Sequence, residues 1–167
     1  NMHSGLYDTL WHLLPLFKNV GLKSQRFDLL AHDPGMIEIQ RLMGKSTLTC
    51  GLEGISPRLR DYLAKNLETD DLHESIEGLL KSKARELKIF LIATGLEEEQ
   101  DFEALSDLLD HIKSIQDKTQ ARTRLVFSMT PLVRFPWTPL EFEKAPSTEH
   151  LALIIKKTAK AIRGAGF

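Results

Sequence analysis

The segment T-L-T-C-G-L-E-G-I-S-P-R-L-R-D-Y-L-A-K, from Thr47 to Lys65, constrains this chain more than any other. A short β-prone run passes a glycine-flanked carboxylate and enters a strongly signalled helix. Thr47 to Cys50 is uncharged and reads as a buried strand. Gly51 and Gly54 relax the backbone on both sides of Glu53. Ser56-Pro57 then supplies an N-cap followed by proline at the first helical position. The whole reads as a ligand-binding turn, because the orphan N–H groups of a helix N-terminus favour a bound anion.

Similar units recur along the chain. Residues 4 to 20 carry Leu6, Leu10, Leu13, Leu14 and Phe17 at helical spacing, with Pro15 predicted to kink or split the helix and Gly21 to end it. Arg26 to Ala31 is predicted as a short strand. Asp33-Pro34 opens a helix through Met43, stopped by Gly44, and Ser46 to Cys50 is the next strand. After the helix from Ser56, Glu68 to Ala84 is a second helix. Leu87 to Thr94 is the most apolar run and predicts a strand buried on both faces. Glu97 to Gln116 is an amphipathic helix whose acidic start suits the helix dipole. Arg124 to Met129 is the fourth strand, and Thr148 to Ile162 closes the chain as a helix. Helices alternating with short apolar strands imply an α/β domain of parallel strands joined by right-handed crossovers. Ligands of such folds sit beyond the carboxyl ends of the strands, where the turns at Glu53, Thr94 and Pro131 fall.

Composition narrows the function classes. A chain of 167 residues buries enough surface to fold as one domain without disulfides or metal. With 22 basic against 23 acidic residues, the charge balance argues against a dedicated nucleic-acid surface. The single cysteine, Cys50, cannot form an internal disulfide and fits a cytoplasmic setting. No apolar run reaches bilayer-spanning length, so no membrane partner is expected. The Asn before Met2 reads as an expression scar and the chain as a fragment of something longer. His3, His12, His32, His73, His111 and His150 are scattered without metal-ligand spacing. Phosphate-loop, nucleophile-elbow and Rossmann motifs are absent.

Three turns, in order, carry a family resemblance. Glu53, Ser56 and Lys65 hold the register of a strand-end acid or amide, a serine three residues on and a basic residue at twelve. F-L-I-A-T-G-L-E-E-E-Q-D, from Phe90 to Asp101, is similar to a phrase F-M-I-G-L-P-x-E-T-x-x-D, with Glu97 in place of the proline. P-L-V-R-F-P-W-T-P-L, from Pro131 to Leu140, is similar to P-F-V-P-K-P-x-T-P-F. Together they resemble the later part of a radical S-adenosylmethionine (SAM) barrel, closest to its cobalamin-associated and methylthiotransferase-like branches, over about residues 26 to 145. The resemblance implies a partial TIM-like (β/α) barrel with about four parallel strands and flanking helices, a single domain over residues 1–167. It implies that the intact parent cleaves SAM reductively, and that Glu53, Ser56, Lys65 and Gly95 hold SAM. Lys65 would pair with the SAM carboxylate and Gly95 would let the backbone approach the adenine.

The chain departs from that family where the cluster is concerned. The family binds a [4Fe–4S] cluster through C-x-x-x-C-x-x-C, and this chain has only Cys50. The glycine-rich motif of the second strand is also absent. The cluster therefore belongs to the parent alone, cobalamin to a missing domain, and the missing N-terminal half of the barrel is the expected partner. Without that half, an unpaired edge and an uncovered apolar face predict either a lid formed by the first helix or a homodimer through the exposed sheet edge.

Each residue also has a plainer reading. Glu53 is a solvated loop acid, Ser56 only an N-cap, Lys65 with Arg58 and Arg60 a basic helix surface, and Gly95 a turn glycine. Cys50 reads as core packing rather than a reactive thiol, and Trp137 as a packed loop aromatic. The rival function is a non-catalytic α/β binding or assembly module built on the same half-barrel.

Overall fold

The computed structural model describes residues 3, 5–18, 20–33, 35–44 and 46–167. Asn1, Met2 and Pro34, singled out above, lie outside the described residues, as does residue 4, where the first helix was expected to begin. In chain order the elements are α1 (Leu6–Leu13), α2 (Phe27–His32), α3 (Gly35–Leu42), β1 (Thr47–Glu53), α4 (Pro57–Tyr62), α5 (Thr69–Lys81), β2 (Glu86–Ala93), α6 (Glu99–Thr119), β3 (Arg124–Pro131) and α7 (Thr148–Gly164).

The strands form one parallel sheet in the order β1-β2-β3, with Cys50 opposite Ile89 and Ile89 opposite Phe127. Sequential parallel neighbours joined by right-handed crossovers place α5 and α6 on the same face, and these two helices pack against each other. That covered face holds the core: Leu48, Cys50, Leu52, Leu87, Ile89, Leu91 and Ala93 are buried beside Leu72, Ile76, Leu105 and Ile112. The opposite face carries Thr49, Lys88, Phe90, Ile92, Val126 and Ser128, all half-buried.

This arrangement corrects three expectations. The sheet has three strands among the described residues, not about four, and it is an open sheet where a partial TIM-like barrel was expected. The predicted strand from Arg26 to Ala31 is helix α2. A six-residue segment with four apolar residues suits a short strand or a short helix equally, and here Phe27, Leu30 and Ala31 form a helical stripe, with α2 packed on α5. Gln25, one residue earlier, bridges to the sheet: its N–H donates to Thr49 O at 2.7 Å and its carbonyl accepts from Gly51 N at 3.4 Å. Strand β2 is buried on one face only, its residues alternating between buried and half-buried, because every crossover helix lies on one side.

The first helix is also shorter than its periodicity suggested. It ends at Leu13, so Pro15 lies past the helix instead of kinking it, and Leu10 is its buried anchor. Trp137 does not pack. It is 97% exposed, held outward by a left-handed backbone (φ 67°) between Pro136 and Pro139, with its N–H donating to Glu141 Oε2 at 2.8 Å.

Candidate functional site

The site is built where β1 ends. A bulge shifts the register between Gly51 and Glu53, and Glu53 adopts a left-handed φ of 68°. Together these fold its carboxylate back over Gly51, so closely that a Cβ on Gly51 would lie 2.2 Å from Glu53 Oε1. Any side chain at position 51 would displace the carboxylate.

Lys65 arrives from the far end of α4. Its N–H donates to Arg60 O at 2.8 Å and Ala64 N–H to Asp61 O at 2.9 Å, with Ala64 left-handed at φ 52°. This is a Schellman closure with alanine where glycine is usual, and it turns the chain back toward β1. Lys65 Nζ then lies 3.6 Å from Glu53 Oε1, an ion pair with no close hydrogen bond. Its charge also reaches Asp28 and Cys50. Burial works to raise the Asp28 carboxyl, but bidentate hydrogen bonds from Arg26, at 3.0 and 2.6 Å, with a smaller pull from Lys65, hold it below its ordinary value. Burial pushes the Cys50 thiol up to about 12, against a weak opposing pull from Lys65. The thiol is inert packing at neutral pH.

Ser56 is not part of that pair. Its Oγ caps α4 by accepting from Leu59 N at 3.2 Å and donates to Asp101 Oδ1 at 2.5 Å. Asp101 is 1% exposed and also accepts from Arg58 Nε at 3.2 Å, Arg58 Nη2 at 2.5 Å and Glu98 N at 2.7 Å. Burial alone would raise this carboxyl, yet Arg58, the Glu98 amide and Ser56 together bring it below its ordinary value. Arg58 also donates to Leu96 O at 2.7 Å. Ser56 and Arg58 therefore clamp α4 to the start of α6.

Gly95 has φ 87°, and a Cβ there would lie 2.4 Å from Pro146 Cγ. The Thr94 and Gly95 amides donate to Glu97 Oε1 and Oε2 at 2.7 and 2.8 Å, and His150 Nε2 lies 3.1 Å from Gly95 O. Glu97 thus fills the turn with its own carboxylate. The structure brings Glu53 and Lys65 together and leaves Ser56 and Gly95 in separate, internally satisfied networks.

Sequence reasoning missed three contributors. Arg26 and Asp28 were hidden in a misread strand. Asp101 had a local signal, since it stands three residues after Glu98 as the second half of a capping box. Among the described residues no group of histidine, cysteine, aspartate and glutamate is placed to hold a metal ion, and no helix is long and apolar enough to cross a membrane.

No family model matches the chain. Over 127 residues, 75% of its length, it is 26% identical to an uncharacterized protein of Methanocaldococcus jannaschii, and the match spans 26% of that relative. The likeness carries no assigned activity with it.

Proposed function

We propose that this chain is the C-terminal part of a radical SAM enzyme domain, supplying the side of the site that binds the SAM ribose and methionyl carboxylate, and that the open sheet is one segment of a larger TIM-like barrel in a longer protein. The observation that supports this reading is the Glu53–Lys65 pair seated over bare Gly51 at the carboxyl end of β1. A carboxylate there accepts from ribose hydroxyls or an ammonium, and Lys65 Nζ meets a carboxylate. At 3.6 Å the two groups are matched in charge but not locked in a short hydrogen bond, so a ligand can enter between them. When bound, SAM would supply the family's radical chemistry together with a cluster held elsewhere in the parent. This chain's residues fit the SAM side but not the cluster, since its one thiol is buried and protonated. At Gly95 the fit is to the turn alone, its amide being taken by Glu97.

A second reading, a non-catalytic α/β binding or assembly module, is favoured by that same self-sufficiency of Ser56 and Gly95.

Binding of S-adenosylhomocysteine to the longer protein tests the first reading by calorimetry. Lys65→Ala and Glu53→Gln are each expected to weaken binding about tenfold or more, since a charge-assisted hydrogen bond contributes about 1.5–3 kcal/mol. Arg41→Ala, on an exposed helix face, should leave it unchanged. Equal affinity in all three would remove the assignment. Anaerobic iron–sulfur reconstitution of the isolated chain is expected to give no stoichiometric iron, because one buried thiol cannot stand in for three ligands. Incorporation of a cluster would refute that.

A further inference from the structure

A pocket between α4, α5 and α6 contains a buried cation with no ion-pair partner among the described residues. Arg60 is 2% exposed. Its Nη2 donates to Thr69 Oγ1 at 3.4 Å and its Nε has no acceptor. Burial lowers the guanidinium's pKa, with Asp61 and Glu68 pulling the other way from a distance. Arginine does not escape burial by losing its proton, and a buried charge without a paired counter-charge is strongly unfavourable. The pocket, about 310 Å³, reaches the size of small-molecule sites.

The lining specifies what would supply the missing charge. Ile55, Leu72 and Leu108 make a buried apolar floor around Arg60. Pro57, Thr69 and Asp107 stand exposed at the rim, and His73, stacked on His111 at 3.8 Å between ring centroids, forms a wall. Thr69 opens α5, whose N-cap residue Glu68 makes no side-chain cap, so the positive end of a 13-residue helix adjoins the pocket. A planar guanidinium matches a carboxylate through paired N–H donors. The apolar floor disfavours a bare, strongly hydrated phosphate, and Asp107 at the mouth repels a second negative charge.

We propose that this pocket binds a small organic monocarboxylate, its carboxylate paired with Arg60 and its apolar body resting on Ile55, Leu72 and Leu108. The site is separate from the Glu53–Lys65 pair and does not rest on the reading given to that pair.

Calorimetric titration of the 167-residue chain with phenylacetate, phenylacetamide and inorganic phosphate tests it. Phenylacetate is expected to bind at least tenfold tighter than either control. Arg60→Met, checked for folding by circular dichroism, should erase the preference for acid over amide. Ala104→Phe, which fills the pocket from α6 without touching the charge, should abolish binding. If Arg60→Met does not fold, the acid–amide comparison and Ala104→Phe decide the matter. Equal binding of acid and amide, tighter binding of phosphate, an unchanged acid affinity in either variant, or no saturable binding at millimolar phenylacetate would overturn the proposal.

Discussion

Replacing Asp101 with alanine is expected to destabilise the fold by about 3 kcal/mol, the cost of orphaning the buried Ser56 hydroxyl together with losing the bonds from Glu98 N and Arg58. Ser56 Oγ and Glu98 N lose their acceptor, and both ends of the α4–α6 clamp fail together. Arg58, whose side chain is 42% exposed, re-solvates and adds little. Arg58→Ala should therefore cost about 1 kcal/mol or less, and Asp101→Asn, which keeps one acceptor oxygen, should fall between the two. Urea midpoints at constant slope measure the series; a loss below 1 kcal/mol in Asp101→Ala would mean that the clamp is not what joins α4 to α6.

The same carboxylate sets a pH signature. Its folded pKa lies below the ordinary 3.8, so the unfolded chain takes up the proton first as pH falls. The stabilisation is complete above the ordinary value and disappears as pH drops through the folded one. Wild type should lose stability below about pH 4 more steeply than Asp101→Asn.

Gly54→Ala is the second large effect, expected to cost about 3 kcal/mol, at the upper end of overpacking penalties. A Cβ there would meet Arg60 N at 2.5 Å and Leu59 C at 2.6 Å, both backbone atoms of α4, so the helix itself must move. Gly51→Ala makes the contrast. Its closest contact is the far end of the Glu53 side chain, which swings aside, so stability should change by about 1 kcal/mol or less while the Glu53–Lys65 pair is dispersed. Thermal unfolding of the two variants side by side separates the glycine that seats the helix from the glycine that seats the carboxylate. Equal losses would show that the distinction is wrong.

The strands at Thr47, Glu86 and Arg124 were legible because each is a short apolar run bounded by turn residues, and the Ser56-Pro57 helix start was legible because capping chemistry is local. The stretch after Gln25 was not, because four apolar residues within six positions carry too little periodicity to separate strand from helix. Burial on both faces of β2 was expected because Leu87 to Thr94 is the most apolar run, with Phe90 and Ile92 on the second face. Their apolar character does not reveal that this side of the strand stays only half-buried. The meeting of Glu53 with Lys65 was anticipated only from the spacing of a resembled motif. Its physical cause, a left-handed alanine closing α4, has no sequence mark, since alanine ordinarily avoids that conformation. Asp101 escaped notice as a partner of Ser56 because the two stand 45 residues apart.

Cys50 gives the sheet an internal clock. The thiol is wholly buried, sits on the strand that Gln25 touches through a single parallel bridge, and stays protonated at neutral pH. An alkylating reagent reaches it only when the core around β1 opens, and the thiolate that reacts forms only once water enters. The labelling rate of this one thiol therefore counts the openings, local or global, that bring β1 into water, with no dye or engineered probe added to the chain.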